Sequence, residues 1–203
     1  MQIFYAPVVQ ENEIVLDETE SKHAIKVLRL EEGTRVRIVD GCGGSYFCEI
    51  SEAHPRKCRL KVLDSVQHCG KRANRLHIGI APTKNMERLE WFLEKVTEIG
   101  IDEITPVLCE HSERKTIKPE RLEKILISAM KQSEKAYLPR LNPLTSFDAF
   151  IRSNGSVHKF IAHCHPGKKP HLKNELKNEN DALIAIGSEG DFSEAEVEDA
   201  KYQ

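Results

Sequence analysis

Apolar residues change their period partway along the chain. Up to about residue 68 they come in short pieces: Ile3-Phe4-Tyr5, Ile14-Val15-Leu16, then Arg35-Val-Arg-Ile-Val39, which alternates as a half-buried strand does. Tyr46 to Ile50 and Cys58 to Leu63 continue the pattern, and Asp40-Gly-Cys-Gly-Gly44 is a turn signal between strands. Thr19 to Leu30 interrupts them with a short amphipathic helix, with Ala24, Val27 and Leu28 on one face. Short strands joined by tight turns predict a small β-barrel over residues 1–68. Polar residues 69–74 read as a linker.

From residue 75 the pattern is that of an α/β fold. Leu76 to Ala81, Ile104 to Cys109, Lys159 to His163 and Ala182 to Ile186 are buried-strand runs. Between the first two lies a helix capped by Asn85, with Leu89, Phe92, Leu93, Val96 and Ile99 at helical spacing, and Gly100 stops it. Pro119 suits the first turn of another helix, with Leu122, Ile125, Leu126, Ala129 and Met130 inward. Ser146 to Ile151 reads as a short helix. Strands alternating with helices predict βαβ units and a largely parallel sheet.

The last strand leads into the most informative stretch, Gly187-Ser-Glu-Gly-Asp-Phe-Ser193. Its glycines let the backbone approach a ligand closely, and Ser193 with Glu196 forms a capping box that starts a helix. Strand, glycine loop and helix start together mark the usual ligand position on an open α/β sheet. The loop has neither GxGxxG nor GxxxxGK[ST] spacing, and Glu189 and Asp191 would repel a pyrophosphate. The expected ligand is neutral or cationic. Pro82-Thr83-Lys84 and His163-Cys164-His165 leave the carboxyl ends of other strands and are expected to face this loop. Gln132, Ser133, Lys135 and Arg140 form a further polar group near the end of the long helix.

Composition narrows the choices. At 203 residues the chain has room for one large domain or two small ones, and its net charge of -2 gives no global field for nucleic acid. RNA contact would need a local patch, for which Lys22, His23, Lys26, Arg29 and Arg35 are the candidates. Six cysteines without a CxxC pair are expected to be free thiols in a reducing cytoplasm. No apolar run reaches membrane-spanning length, and no second His/Cys cluster stands at metal-ligand spacing, so no metal is expected. No GxSxG elbow exists, which argues against acyl hydrolysis.

Several passages together carry a resemblance: Lys22-His23 through Val27-Leu28-Arg29-Leu30, Lys95-Val-Thr-Glu-Ile-Gly-Ile-Asp-Glu-Ile-Thr-Pro106, Met130-Lys-Gln-Ser133 with Leu138-Pro139, and Ile186-Gly-Ser-Glu-Gly-Asp-Phe-Ser193. In order and over essentially the whole chain, this resembles the bacterial ribosomal RNA small subunit methyltransferase E family. The resemblance implies a PUA-like β-barrel for RNA over residues 1–68, a linker at 69–74, and a SPOUT (α/β-knot) methyltransferase domain over 75–203. It implies S-adenosylmethionine as methyl donor, N3 of a uridine in 16S rRNA of the small ribosomal subunit as acceptor, and a homodimer. Ala162, His163, Cys164, Ile186, Gly187, Glu189 and Gly190 then take the cofactor side, and Lys84, Gln132, Ser133, Lys135 and Arg140 the catalytic side. Ser188 stands where the family has proline, and Asp191 where it has glycine. The family continues with a last strand, a Leu-Gly turn and a helix beyond Gln203, so the knot is expected to be incomplete in this sequence. Two other classes stay open on the residues: a dinucleotide-dependent oxidoreductase, and an RNA-binding protein with an inactive methyltransferase-like half.

Overall fold

The computed structural model describes residues 1–10, 12–152, 158–176 and 181–202. The chain divides into two compact units, Met1–Lys71 with Leu126–Leu138, and Arg72–Ile125 with Pro139–Gln203.

The first unit is built on β1 (Ile3–Tyr5), β2 (Glu13–Val15), β3 (Arg35–Val39), β4 (Ser45–Glu52) and β5 (Arg59–Val66). They form one curled sheet in the order β1-β3-β4-β5-β2, a PUA-like half-barrel. All pairs are antiparallel except β1 with β3. Inward positions alternate along the strands, so Phe4, Ile14, Ile38, Ile50 and Leu60 meet in one core with Leu16 and Ala24. Ser21 bridges this core: its hydroxyl donates to the Leu16 carbonyl at 3.1 Å and accepts the Cys58 N–H at 2.9 Å.

The amphipathic helix is shorter and less regular than its sequence predicts. Asp17 caps α1 (Glu18–Lys22), accepting the Glu20 N–H at 2.7 Å. The chain then widens into a π-helical turn, His23–Val27. Leu30 N–H reaches back to the Ala24 carbonyl at 3.0 Å while Arg29 takes a left-handed φ of 55°. This is the closure usually made with glycine. Arg29 therefore stands past the end of the helix, and Val27 is exposed rather than inward.

The glycine turn after β3 does more than reverse the chain. Asp40 accepts the N–H groups of Cys42 and Gly44 at 2.7 and 2.9 Å. Residues 136–138 dock on the outside, with Gly43 N–H on the Ala136 carbonyl and Leu138 N–H on the Gly41 carbonyl, both at 2.9 Å. A Cβ on Gly43 would lie 2.4 Å from the Tyr137 ring, so glycine is required there. Lys131 pairs with the buried Glu20 on the same unit.

The second unit carries β6 (Leu76–Ile80), α2 (Met86–Ile99), β7 (Glu103–Leu108) and α3 (Pro119–Gln132), whose second half belongs to the first unit. It continues through β8 (Arg140–Leu141), β9 (Thr145–Ser146), α4 (Phe147–Arg152), β10 (His158–Ala162), α5 (Leu172–Glu175), β11 (Ala182–Ile186) and α6 (Glu194–Lys201). The sheet runs β10-β11-β6-β7-β8, with β9 also on β7, and every pair is parallel. This is the α/β arrangement of SPOUT-type proteins. Asn85 and Gly100 cap α2 as predicted, Gly100 at a φ of 98°. Ile99, expected inward, is 73% exposed, because the buried face of the helix runs through Leu89, Leu93, Val96 and Thr97 and Ile99 falls to one side of it. The two-residue strands β8 and β9 and the single-turn α5 carry no periodicity that the sequence could reveal.

Phe150 of α4 lies directly on β6, where a Cβ at Gly79 would sit 2.3 Å from its ring. Beside it His77 is 6% exposed and stacks edge-on with Phe150. His77 Nε2 lies 2.7 Å from the Thr105 hydroxyl, and Asn142 donates to Thr105 at 2.8 Å and to Glu103 at 2.5 Å. Burial, with the charges of Arg75 and Arg140, pushes the His77 pKa down to about 4.

The buried histidine gives a signed prediction. The folded pKa lies below the ordinary value of 6.5, so the unfolded chain binds the extra proton first as pH falls. Stability from this group is full above pH 6.5 and is lost toward pH 4, by about 2–3 kcal/mol over the window. Urea unfolding at pH 7.5 and 4.5 should show this excess loss, and His77→Gln should remove it from the pH dependence.

Candidate functional site

Four loops leave the carboxyl ends of β6, β7, β10 and β11, all in the second unit. Such loops expose backbone amides and carbonyls that no strand satisfies. Here they satisfy one another through side chains.

The glycine loop after β11 is the common partner. Gly187 and Ser188 are half-buried, while Glu189 and Gly190 are exposed, so the loop is open on one side. Its inner side is packed: a Cβ on Gly187 would meet the Phe192 ring at 3.2 Å, and one on Gly190 would press on His111 Cβ at 2.8 Å. Asp191 takes a φ of 61°, a region that aspartate enters more readily than most side chains. The predicted capping box then starts α6, with Ser193 and Glu196 each bonded to the other's N–H at 3.2 and 2.9 Å.

Each neighbouring loop reaches this one. The Lys84 N–H donates to the Glu189 carboxylate at 3.2 Å. The Cys164 N–H donates to Asp191 Oδ2 at 2.6 Å. His165 Nε2 lies 2.6 Å from the Phe192 carbonyl, which can only accept, so that nitrogen carries the hydrogen. His163 stands next to it, ring to ring at 5.4 Å, with a buried Nδ1 that has no hydrogen-bond partner among the described residues. Burial first, then the charges of Lys169 and His165, pull the His163 pKa below its ordinary value, so it is neutral at pH 7.

The segment after β7, which carries no motif of its own, does most of the joining. His111 donates from Nδ1 to the Gly190 carbonyl at 2.9 Å, and its own carbonyl accepts the Ser188 hydroxyl at 3.2 Å. Glu110 N–H donates to Glu196 at 2.9 Å. Glu113 pairs with the Lys84 ammonium at 2.9 Å. Arg114 donates to the carbonyls of Thr83 and Lys84 at 3.2 and 2.8 Å. Its proximity to the ends of a parallel sheet was the available signal, since the segment follows a strand as the other loops do. The pair with Glu113 raises the Lys84 pKa, with Glu189 adding to it, so this side chain stays an ammonium.

Of the other expected catalytic residues, only Arg140 shares the second unit with Lys84, and it does not stand beside it. Arg140 opens β8 and pairs in register with Glu103, the first residue of β7, at the amino end of the sheet. Lys84 follows the carboxyl end of β6, so the expected grouping of the two on one catalytic side is corrected for Arg140. Gln132, Ser133 and Lys135 belong to the first unit. The Ser133 hydroxyl is bonded to the Ala129 carbonyl at 2.7 Å, one helical turn back. Ala162, Cys164, Glu189 and Gly190 are exposed, and Ile186 is half-buried.

On the first unit, Lys22, Lys26, Arg29 and Arg35 are all exposed. Arg35 approaches Glu49 at 3.9 Å. His23 is half-buried, edge-on to the buried Phe4 at 5.9 Å, a packing contact. Among the described residues no helix is long and apolar enough to cross a membrane, and no group of three or more His, Cys, Asp or Glu is placed to hold a metal ion.

A parallel sheet with ligand-ready loops, joined to a PUA-like half-barrel, defines the class: an RNA methyltransferase of the SPOUT type. The model of the RNA methyltransferase domain matches residues 71–203, and that of the RNA methyltransferase PUA domain matches 16–63. The chain belongs to the ribosomal RNA small subunit methyltransferase E family. The Bacillus subtilis protein of that name is 25% identical over 192 residues, 88% of this chain and 75% of the relative. A probable rRNA-methyltransferase from Porphyromonas gingivalis superposes with a TM-score of 0.90 at 38% identity, covering 100% of this chain and 86% of the other. The ribosomal RNA small subunit methyltransferase E of Neisseria gonorrhoeae, solved bound to S-adenosyl methionine, has the same fold with a TM-score of 0.87 at 18% identity, covering 100% and 86%.

Arg114 is the strut of the 82–85 loop, so Arg114→Leu should free both carbonyls. The expected outcome is a loss of about 1–2 kcal/mol of unfolding free energy, with faster hydrogen exchange at the Lys84 amide. Unfolding curves and amide exchange measured on the same variant check it.

Proposed function

We propose that the chain transfers a methyl group from S-adenosylmethionine to N3 of a uridine in 16S rRNA of the small ribosomal subunit. The observation that carries this reading is the acidic glycine loop at the sheet's carboxyl end, in a chain of this family. The loop's chemistry fits the donor. Glu189 is exposed, and Asp191 is held ionised: burial pushes its pKa up, but the N–H groups of Cys164 and Phe192 and the nearby histidines bring it below the ordinary value. Such a site suits a cation and repels a dinucleotide pyrophosphate, which counts against the oxidoreductase reading. Ile186 to Gly190 would hold the donor through backbone groups, with Ala162, His163 and Cys164 facing them. When bound, the donor supplies an electrophilic methyl group carried on a positive sulfur.

The protein's own task concerns the acceptor proton. Neutral uracil carries a hydrogen on N3, which must leave for that nitrogen to act as a nucleophile. A fixed cation near the uracil carbonyls favours the N3 anion. Lys84 fits that role: its raised pKa keeps it an ammonium, which makes it an electrostatic stabiliser and not a base at neutral pH. Glu113 and Arg114 hold it and its loop in place. Gln132, Ser133 and Lys135 are proposed as RNA contacts, with the Ser133 hydroxyl, which already donates to Ala129, left to accept; Arg140, at the amino end of the sheet, is not assigned to the donor site.

The half-barrel is proposed to hold the RNA backbone through Lys22, Lys26, Arg29 and Arg35, contacts that position without reading sequence. His23 would then shape the patch rather than grip a phosphate. A homodimer working in the cytoplasm completes the proposal.

Two measurements test it. Labelled donor incubated with small subunits unmethylated at the target uridine should place label on that base, and Lys84→Ala should lower kcat by about 10²-fold or more. Label absent from the RNA while donor still binds would leave the RNA-binding reading standing. Charge reversal at Lys26 and Arg29 should weaken RNA binding and flatten its salt dependence by about 0.7–0.9 per lost phosphate contact, with donor affinity unchanged in calorimetry.

A further inference from the structure

Asp191 is out of place in its backbone and fully employed in its side chain. Its φ of 61° is one that glycine adopts without cost. Aspartate enters this region more readily than most side chains, though at a cost that glycine does not carry. The surroundings are specific. Oδ2 accepts the Cys164 N–H at 2.6 Å, across a separation of 27 residues, and Oδ1 accepts the Phe192 N–H at 2.8 Å. The residue's own N–H returns to the Ser188 carbonyl at 3.0 Å and closes the turn. One carboxylate thus bonds the loop after β10 to the loop after β11. Beside it the His165 ring donates to the Phe192 carbonyl at 2.6 Å, a second tie between the same loops.

We propose that Asp191 is a positioning residue that clasps the His163-Cys164-His165 loop to the glycine loop and so holds two walls of the donor site together before any donor arrives. The functional half of this proposal rests on the donor reading above; the clasp itself does not. A glycine at this position would relieve the backbone and lose the clasp. The loop after β10 would then be tied to the glycine loop by His165 alone among these contacts. Preorganised walls lower the ordering cost of binding, so the effect belongs in donor affinity and not in the rate of the bound complex.

The test uses the full chain with Asp191→Gly and Asp191→Asn. Asparagine tolerates the left-handed backbone and keeps one acceptor oxygen, so it distinguishes the clasp from the turn. In the chain without donor, Asp191→Gly should speed hydrogen exchange at the Cys164 amide by about tenfold or more. The turn itself should persist, seen as an unchanged melting cooperativity. Asp191→Asn should recover part of that protection. With donor, KM should rise about tenfold in Asp191→Gly while kcat stays within about twofold, and Asp191→Asn should lie between. Unchanged Cys164 exchange in Asp191→Gly overturns the clasp. Faster exchange with unchanged donor KM overturns its role in positioning. A wild-type chain that binds no donor overturns the donor reading instead, and the exchange rate still decides the clasp.

Discussion

Backbone groups in loops beyond the ends of a parallel sheet have to find partners, and that constraint organises the second unit. A strand's ladder ends at its last residue, and the amides and carbonyls that follow cannot be left unmet without cost. In this chain the partners are charged or polar side chains from adjacent loops: Glu189 for the Lys84 amide, Asp191 for Cys164, Arg114 for Thr83 and Lys84, His111 for Gly190. Hydrogen bonds with one ionised partner are the stronger kind. The loops therefore form one connected network, and a ligand meeting any of them meets a surface shaped by all.

That network explains the glycines better than ligand approach alone. Gly187 and Gly190 leave room on the protein side, for Phe192 and His111 respectively. Freed of side chains, the loop lies flat against its neighbours and turns its exposed edge, with Glu189, outward. The same residues that make the loop compact make it acidic. Carboxylates placed between and beside its glycines make this loop a poor phosphate grip.

Much of this was legible in the sequence because it is local. The strand before the glycine loop, the Ser193–Glu196 box, the Asn85 and Gly100 caps and the change from period two to period 3.6 each depend on residues within one turn or one strand. What escaped depends on distant partners. The joining role of residues 110–114 shows only once β7 lies beside β6 and β11 is on the other side of β6. The assignment of Leu126–Leu138 to the half-barrel unit depends on Tyr137 meeting Gly43, and Arg140 falls at the amino end of the sheet because β8 pairs with the first residues of β7. No spacing rule carries such information.

Asp191 shows the limit most sharply. In the sequence it looks like a flaw, a side chain where a turn wants glycine. In the fold its backbone conformation and its carboxylate are parts of one arrangement, since the left-handed turn accompanies both oxygens reaching amides, one of them in another loop. A substitution that costs local conformational energy can be retained when it returns a contact between segments far apart in the chain. Departures from a motif in such loops are then best judged by what their side chains hold, which only the assembled sheet discloses.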